Sequence, residues 1–334
     1  MVEEEEQDPS ADGKSDSPDS ADNPLNPSGR PAKYPIVLVH GFAASPERNG
    51  FNAETAQALC NDGHSVYVPA LPAFAGNARR AAVLAAEVDA IVAGKVDFCG
   101  RQPNVHDRVN IIGHSMGGTD ARVLIQGTDT LREYEKKVAS VITISSPHIG
   151  SAMADMVLRV GAWKDQALGN EGGTALQALG QLTGVFIPDS PDELPTDMYD
   201  AFFSISTEND SALWVPYGTK VWSWAGLSNV AGVPNPADEA ACEGKMSLFR
   251  KTVLGTYQRH WMNVLLQPMA WVVGESSQLA PNDGLVKVEH AKWGEFRGCM
   301  PADHAAEVGA FPLSGFDHIR FLRNRAFELA ARSL

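Results

Sequence analysis

A chain of 334 residues, 44% hydrophobic and 20% charged, can bury a large core, which excludes a fibrous chain and a disulfide-dense miniprotein. The formal net charge of -14 comes without any basic stripe interleaved with aromatics, so nucleic acid is not an expected partner. No run of 18 apolar residues is present and the first residues lack the basic and apolar regions of a signal peptide, so no transmembrane span is expected.

Residues 1–31 hold nine acids, Glu3 to Glu6 with Asp8, Asp12, Asp16, Asp19 and Asp22, against only Lys14 and Arg30. With almost nothing apolar to bury, this stretch reads as a disordered acidic tail ahead of a catalytic domain over 32–334. Tyr34 to Phe42 then reads as a strand covered on both faces, because its apolar run is continuous rather than alternating. Its His40-Gly41 end brings backbone N–H groups, that of Phe42 first, to the top of the sheet, where a developing oxyanion would sit; a plain strand-terminating glycine is the alternative.

Residues 51–62 read as a helix closed by Gly63, residues 65–69 as a short strand, and residues 79–91 as an Ala-rich amphipathic helix. Val109 to Gly113 is the next strand. It runs straight into Gly113-His114-Ser115-Met116-Gly117 and a helix reaching Gln126, the strand, sharp turn and helix that a nucleophile elbow requires. Val138 to Ser145 is a further strand, and Ser146 to Ser151 turns at its carboxyl end. His148 in that turn reads as a packing residue, since it follows the wrong strand for a proton relay. The repeated β, α order predicts an α/β fold with a mostly parallel central sheet and helices on both faces.

From 152 to 217 the pattern breaks. Apolar residues on one stripe there, among them Met153, Met156 and Val157, predict a helical lid or cap insertion whose inner face meets an apolar substrate; a fixed cap fits the sequence equally. Residues 220–226 return to strand, 229–245 to loop, and 246–273 read as largely helical. Residues 295–298 form a last strand. The C-terminal helix carries Phe316, Ile319, Phe321, Leu322, Phe327 and Leu329 inward, with Arg320, Arg323, Arg325 and Arg332 expected to complement its dipole.

A serine hydroxyl needs an imidazole to take its proton and an acid to orient that imidazole. Ser115, Asp283 and His304 occur in the chain order of such hydrolases, the last two on loops late in the chain. Asp238 is a rival acid, and Asp303 a poor one because neighbours in extended chain point apart. His318, also in an Asp-His pair, is the alternative base, although it enters the terminal helix. Cys60, Cys99, Cys242 and Cys299 show no zinc spacing; pairing 60 with 99 and 242 with 299 keeps each bridge within one half of the chain, with isolated buried thiols the alternative.

From about Tyr34 onward the chain resembles the bacterial true lipases of the Pseudomonas and Burkholderia type, in the α/β-hydrolase superfamily. The matching stretches are 35–42, the elbow with 109–112, 146–151, 222–226, 282–286, and Asp303-His304 with Glu307-Val308. The resemblance implies Ser115 as nucleophile, Asp283 as acid, His304 as base, and the Phe42 and Met116 amides as the oxyanion hole. It also implies a structural calcium held partly by an aspartate two residues after the histidine; this chain has Ala306 there, so no cofactor is expected, with a structural calcium the alternative, for which Asp238 could sit near the other acidic ligand's loop. The family's disulfide is not matched either, since Glu289 stands where its downstream cysteine would fall.

The sequence thus predicts a serine carboxylic ester hydrolase, foremost a lipase taking apolar esters at a lipid-water interface. Short-chain carboxylesterase, polyester hydrolase, thioesterase and acyltransferase activities share the same machinery, and an inactive hydrolase-fold binding protein is the alternative outside enzymes. A secreted, periplasmic or cell-surface location is expected, with cytoplasm the alternative. Oligomeric state is not legible.

Overall fold

The computed structural model describes residues 17–48, 50–102, 106–128, 131, 133–159, 180, 196–209, 212–258, 260–274, 280–310 and 315–334. Six strands form one parallel sheet: β1 (Ile36–Val39), β2 (Val66–Tyr67), β3 (Val109–His114), β4 (Val138–Ile144), β5 (Lys220–Gly226) and β6 (Glu295–Met300), in the order β2-β1-β3-β4-β5-β6. β1, β3 and β4 are buried at every residue, which is why their sequences run apolar without alternation.

Helices α1 (Ala53–Asn61), α2 (Asn77–Val92), α3 (Met116–Gln126) and α4 (Ala152–Leu158) follow β1, β2, β3 and β4. Asn52 caps α1 by accepting from the Thr55 amide at 2.9 Å, and Ser151 caps α4 by accepting from the Met153 amide at 3.2 Å. Two apolar layers enclose the sheet. One joins Ile36, Leu38 and Ile112 to α1 and the C-terminal helix α8 (His318–Ala331); the other joins Val37, Val39 and Ile111 to α2 and α3. Between β4 and β5 lies α5 (Thr196–Ser204); between β5 and β6 lie α6 (Asp238–Ala241) and α7 (Gln267–Gly274). The strand and helix pattern up to β4 agrees with the sequence reading, and both expected disulfides form, Cys60–Cys99 and Cys242–Cys299.

Three expectations change. The described residues of 246–266 are not helical: 250–258 form a hairpin in which Lys251 bridges Tyr257 in antiparallel fashion, and within 246–274 the helix described is α7. Thr252, Val253, Gly255 and Thr256 favour a turn over a helix, a local preference that the surrounding apolar residues mask.

The second change concerns residues 17–31, which dock on the body instead of floating free. Arg320 donates to the carbonyls of Ser17 at 3.1 Å, Pro18 at 2.8 Å and Asn23, while Asn324 donates to Asn23 Oδ1 at 3.0 Å. The tail has little apolar surface, but its backbone carbonyls satisfy guanidinium groups that would otherwise be buried alone. Residues 1–16 lie outside the described residues.

The third change follows from the second. Arg320 and Arg325 are buried and tie down the tail, and Arg323 forms a two-pronged pair with Asp62, at 2.6 and 2.7 Å, that fastens α8 to the end of α1. None of the three serves the carboxyl-end dipole of α8.

Candidate active site

Ser115 stands between β3 and α3 with φ 55° and ψ -130°, a conformation that costs a non-glycine residue energy and that the packed elbow holds in place. The flanking glycines are required by close approach. A Cβ on Gly117 would meet the Val39 carbonyl oxygen at 2.2 Å, and one on Gly113 would meet the Gly118 amide at 2.6 Å. The Met116 amide begins α3, so no earlier helical carbonyl turn is there to accept from it. Gly41 is equally close: a Cβ there would lie 2.7 Å from Ser115 Cβ, which brings the peptide leading to Phe42 against the serine.

Three side chains from distant parts of the sequence meet here. His304 Nε2 is 2.9 Å from Ser115 Oγ, and His304 Nδ1 is 2.8 Å from Asp283 Oδ2. The other oxygen of Asp283 accepts from the Leu285 and Val286 amides at 2.9 and 2.8 Å, and its backbone carbonyl accepts from the His304 amide at 2.9 Å. The acid is therefore fixed before it fixes the imidazole. Asp283 is fully buried and His304 nearly so.

The rival residues fall elsewhere. Asp238 accepts from the Asn229 side chain at 3.1 Å and the Asn235 amide at 3.3 Å. Asp303 accepts from the amides of Asn263, Ala305 and Ala306, bracing the loop that carries His304 without orienting its ring. His318, the alternative base, is the first residue of α8, just after the capping Asp317; it packs against Gly309 and does not line the cleft at Ser115. His148 is a packing residue, as expected. Its ring lies 3.2 Å from Thr143 Oγ1 and against Trp293, and burial with Arg122 nearby holds its pKa well below the usual imidazole range.

Two supports were not singled out from the sequence. Glu307 is wholly buried behind the site: its Oε1 accepts from Ser145 Oγ at 2.6 Å and its Oε2 lies 3.0 Å from His114 Nε2. Burial first, then the charge of Asp283, push its pKa well above the usual carboxylate range, so it is held as the neutral acid. The His114 ring in turn packs 4.6 Å from that of His304.

Arg80 is the second support. Fully buried and paired with Asp120 at 2.8 Å, it donates to the carbonyls of His40 at 2.6 Å and Pro72 at 2.8 Å, holding the loop that carries Phe42. His40 accepts from the Leu71 amide through Nε2 and so donates from Nδ1 to the Gly41 carbonyl; burial lowers its pKa to about 4 and keeps it neutral. Both show in the sequence as charge inside an apolar pattern, Arg80 in an Ala-rich helix and Glu307 between Ala306 and Val308, and Glu307 also belongs to a stretch matched to the lipases.

Among the described residues, His114, His304 and Glu307 bring potential metal-ligating atoms within 4.8 Å of one another, but both nitrogens of His304 already face Asp283 and Ser115. The resemblance places a calcium-ligating aspartate at position 306. Ala306 is buried and offers only a methyl group, and both oxygens of Asp303 are taken by backbone amides.

A cleft of about 810 Å³, open mouth included, leads to Ser115. Its wall is mostly apolar, with Met153 and Ala154 from α4, Phe202 from α5, Ile205, Leu285 and Val308. Of the 152–217 insertion, Met153, Ala154, Phe202 and Ile205 line the cleft, while 160–179 and 181–195 lie outside the described residues.

The family model described as palmitoyl protein thioesterase matches residues 35–181, the half that carries the elbow. A triacylglycerol lipase of Vibrio cholerae is 31% identical over 234 residues, covering 62% of this chain and 67% of that protein. The chain belongs to the bacterial triacylglycerol lipases. A Pseudomonas fragi member of this lipase family is 33% identical over 126 residues, 37% of this chain and 38% of that protein. The Staphylococcus hyicus lipase structure, 18% identical, superposes with a TM-score of 0.52 over 93% of this chain and 98% of its own, which shows the shared α/β-hydrolase fold. Family membership makes the chain a carboxylic ester hydrolase. Among the described residues, no helix is long and apolar enough to cross a membrane.

Proposed function

We propose that this lipase-family enzyme cleaves apolar acyl esters through an acyl-enzyme on Ser115. The observation that carries the reading is the unbroken line from Asp283 to His304 to Ser115, with contacts of 2.8 and 2.9 Å at the floor of an apolar cleft. In this reading His304 takes the Ser115 proton as Oγ attacks the ester carbonyl, and Asp283 holds the imidazole in the tautomer that presents Nε2. The Phe42 and Met116 amides receive the oxyanion; His304 then passes the proton to the leaving alcohol, and water, activated by the same imidazole, frees the acid.

Apolar walls from Met153, Phe202, Leu285 and Val308 favour a long acyl chain. The match to the palmitoyl protein thioesterase family favours a second reading in which the same acyl chain leaves a thiol. Profiling p-nitrophenyl esters from acetate to palmitate, with palmitoyl thioesters alongside, separates these readings. A clear rise in kcat/KM with chain length on oxygen esters supports the lipase; a preference for acetate, or for thioesters alone, removes it. The two disulfides support an exported enzyme working in an oxidising compartment.

A further inference from the structure

We propose that the hairpin of residues 250–258 is an anchor that inserts its apolar tip into an anionic lipid surface. The proposal rests on the lipase reading only for its purpose; lipid binding itself is a property of the hairpin. Val253 and Leu254 form the tip and are 104% and 86% exposed, a placement for two large aliphatic side chains that ordinary folding does not reward.

Three amides of the turn are already paired. Thr252 N donates to the Thr256 carbonyl at 2.7 Å, Gly255 N to the Thr252 carbonyl at 2.9 Å, and Leu254 N to Thr252 Oγ1 at 3.3 Å. These amides would otherwise resist transfer into an apolar layer, because each unpaired donor costs several kcal/mol there. Gly255, at φ +76°, makes the tight return possible. The base is rigid: Phe249 is buried against the Cys242–Cys299 region and meets the Tyr257 ring edge-on at 6.2 Å, and Gln258 N donates to the Arg250 carbonyl at 2.7 Å. A rigid loop loses little further conformational entropy on docking.

Charge identifies the lipid. In a chain of net charge -14, the hairpin itself, residues 250–258, carries Arg250 and Lys251 and no Asp or Glu. Lys251 sits three residues from Leu254, with its ammonium 5.3 Å above the Tyr257 ring, where it can reach an anionic headgroup as the tip enters the acyl boundary. The chain leaves the hairpin through His260, whose carbonyl accepts from the Asn229 amide at 2.9 Å, and the adjacent Ser228 bridges Asn282, next to Asp283, so the anchor springs from the end of the sheet that carries the cleft.

The test is co-sedimentation of the full chain with vesicles of phosphatidylcholine alone and with phosphatidylglycerol added, beside turnover of a monomeric short-chain p-nitrophenyl ester. Binding should be stronger to the anionic vesicles and weaken with salt. The double variant Val253→Ser, Leu254→Ser should lose at least about tenfold in vesicle partitioning, from the two aliphatic side chains withdrawn. It should turn over the soluble ester within about twofold of the parent, which also shows that it folds. Lys251→Gln should lose mainly the preference for anionic lipid. Parent-like vesicle binding by the double variant overturns the anchor, as does failure of the parent chain to bind anionic vesicles. Dissociation of a dimer by the double variant, with no lipid binding in either protein, would assign the tip to a second copy and overturn it too. Loss of ester turnover by the parent would refute the hydrolase reading while leaving the sedimentation result to stand or fall on its own.

Discussion

Glu307 and His114 meet at 3.0 Å, both buried, directly behind the imidazole that faces Ser115. The site therefore rests on a second acid that is itself kept neutral. Its hydrogen bond from Ser145, whose Oγ also accepts from the Gly226 amide at 2.8 Å, links the ends of β4 and β5 to the His304 loop.

Replacing Glu307 tests that neutrality. The native carboxyl titrates above its ordinary value of 4.5, so the stability it contributes is full below about pH 4.5 and is lost as pH rises through the native value. Glu307→Gln keeps the shape and cannot ionise, so its Tm should gain on the parent as pH rises. Glu307→Ala should cost about 1–3 kcal/mol at pH 4, by leaving Ser145 and His114 without this partner, and less as pH rises. Thermal melts from pH 4 to 9 check both; a parent-to-Gln difference that does not vary with pH would contradict the neutral acid.

Arg80 governs the loop that carries Phe42. Arg80→Met removes donors to two carbonyls and leaves Asp120 buried alone, which should cost about 3–5 kcal/mol. Burial already raises the Asp120 pKa to about 6 against the pull of Arg80. Without Arg80 the rise is larger, so the variant should be least impaired at acid pH and lose stability as pH increases. Denaturant titrations at pH 5 and pH 8 measure it. A variant equally stable at both would contradict the account.

The Cys242–Cys299 bridge, spanning 57 residues, ties the end of α6 to edge strand β6. Loop-closure entropy gives it about 4 kcal/mol against the unfolded chain. The paired variant Cys242→Ser, Cys299→Ser should unfold at clearly lower denaturant, by about 2–4 kcal/mol, with unchanged turnover per folded molecule of a soluble ester. Unfolding coincident with the parent would show that the bridge does not constrain the chain.

Much of this was legible from residue order alone. Ser115 announces itself because an elbow demands a strand, two close-approach glycines and a helix in one short stretch, all of them local signals. Asp283 and His304 could be chosen from chain order, yet their meeting depends on parallel strands that bring residues 21 positions apart to one sheet end, and only the fold rejects His318. The roles of Glu307 and Arg80 were hidden because they are contacts that only the fold creates, to Ser145 and His114 for the one and to Asp120 and the His40 and Pro72 carbonyls for the other, which leave no periodic trace. The 246–266 region misled for the opposite reason: dense apolar content imitates a helix, while the hairpin is set by Thr and Gly at its turn. The docked part of the tail was missed because its grip comes from backbone carbonyls, which every sequence has and none displays.

The central claim is that Ser115 becomes acylated with His304 as its base. A fluorophosphonate probe followed by mass spectrometry of the digested protein addresses it in one measurement. The account predicts a stoichiometric adduct on the peptide containing Ser115, abolished in Ser115→Ala and slowed by on the order of 10³-fold or more in His304→Ala, with His318→Ala labelled like the parent. Label on another residue, or parent-like labelling of His304→Ala beside an inert His318→Ala, would contradict it.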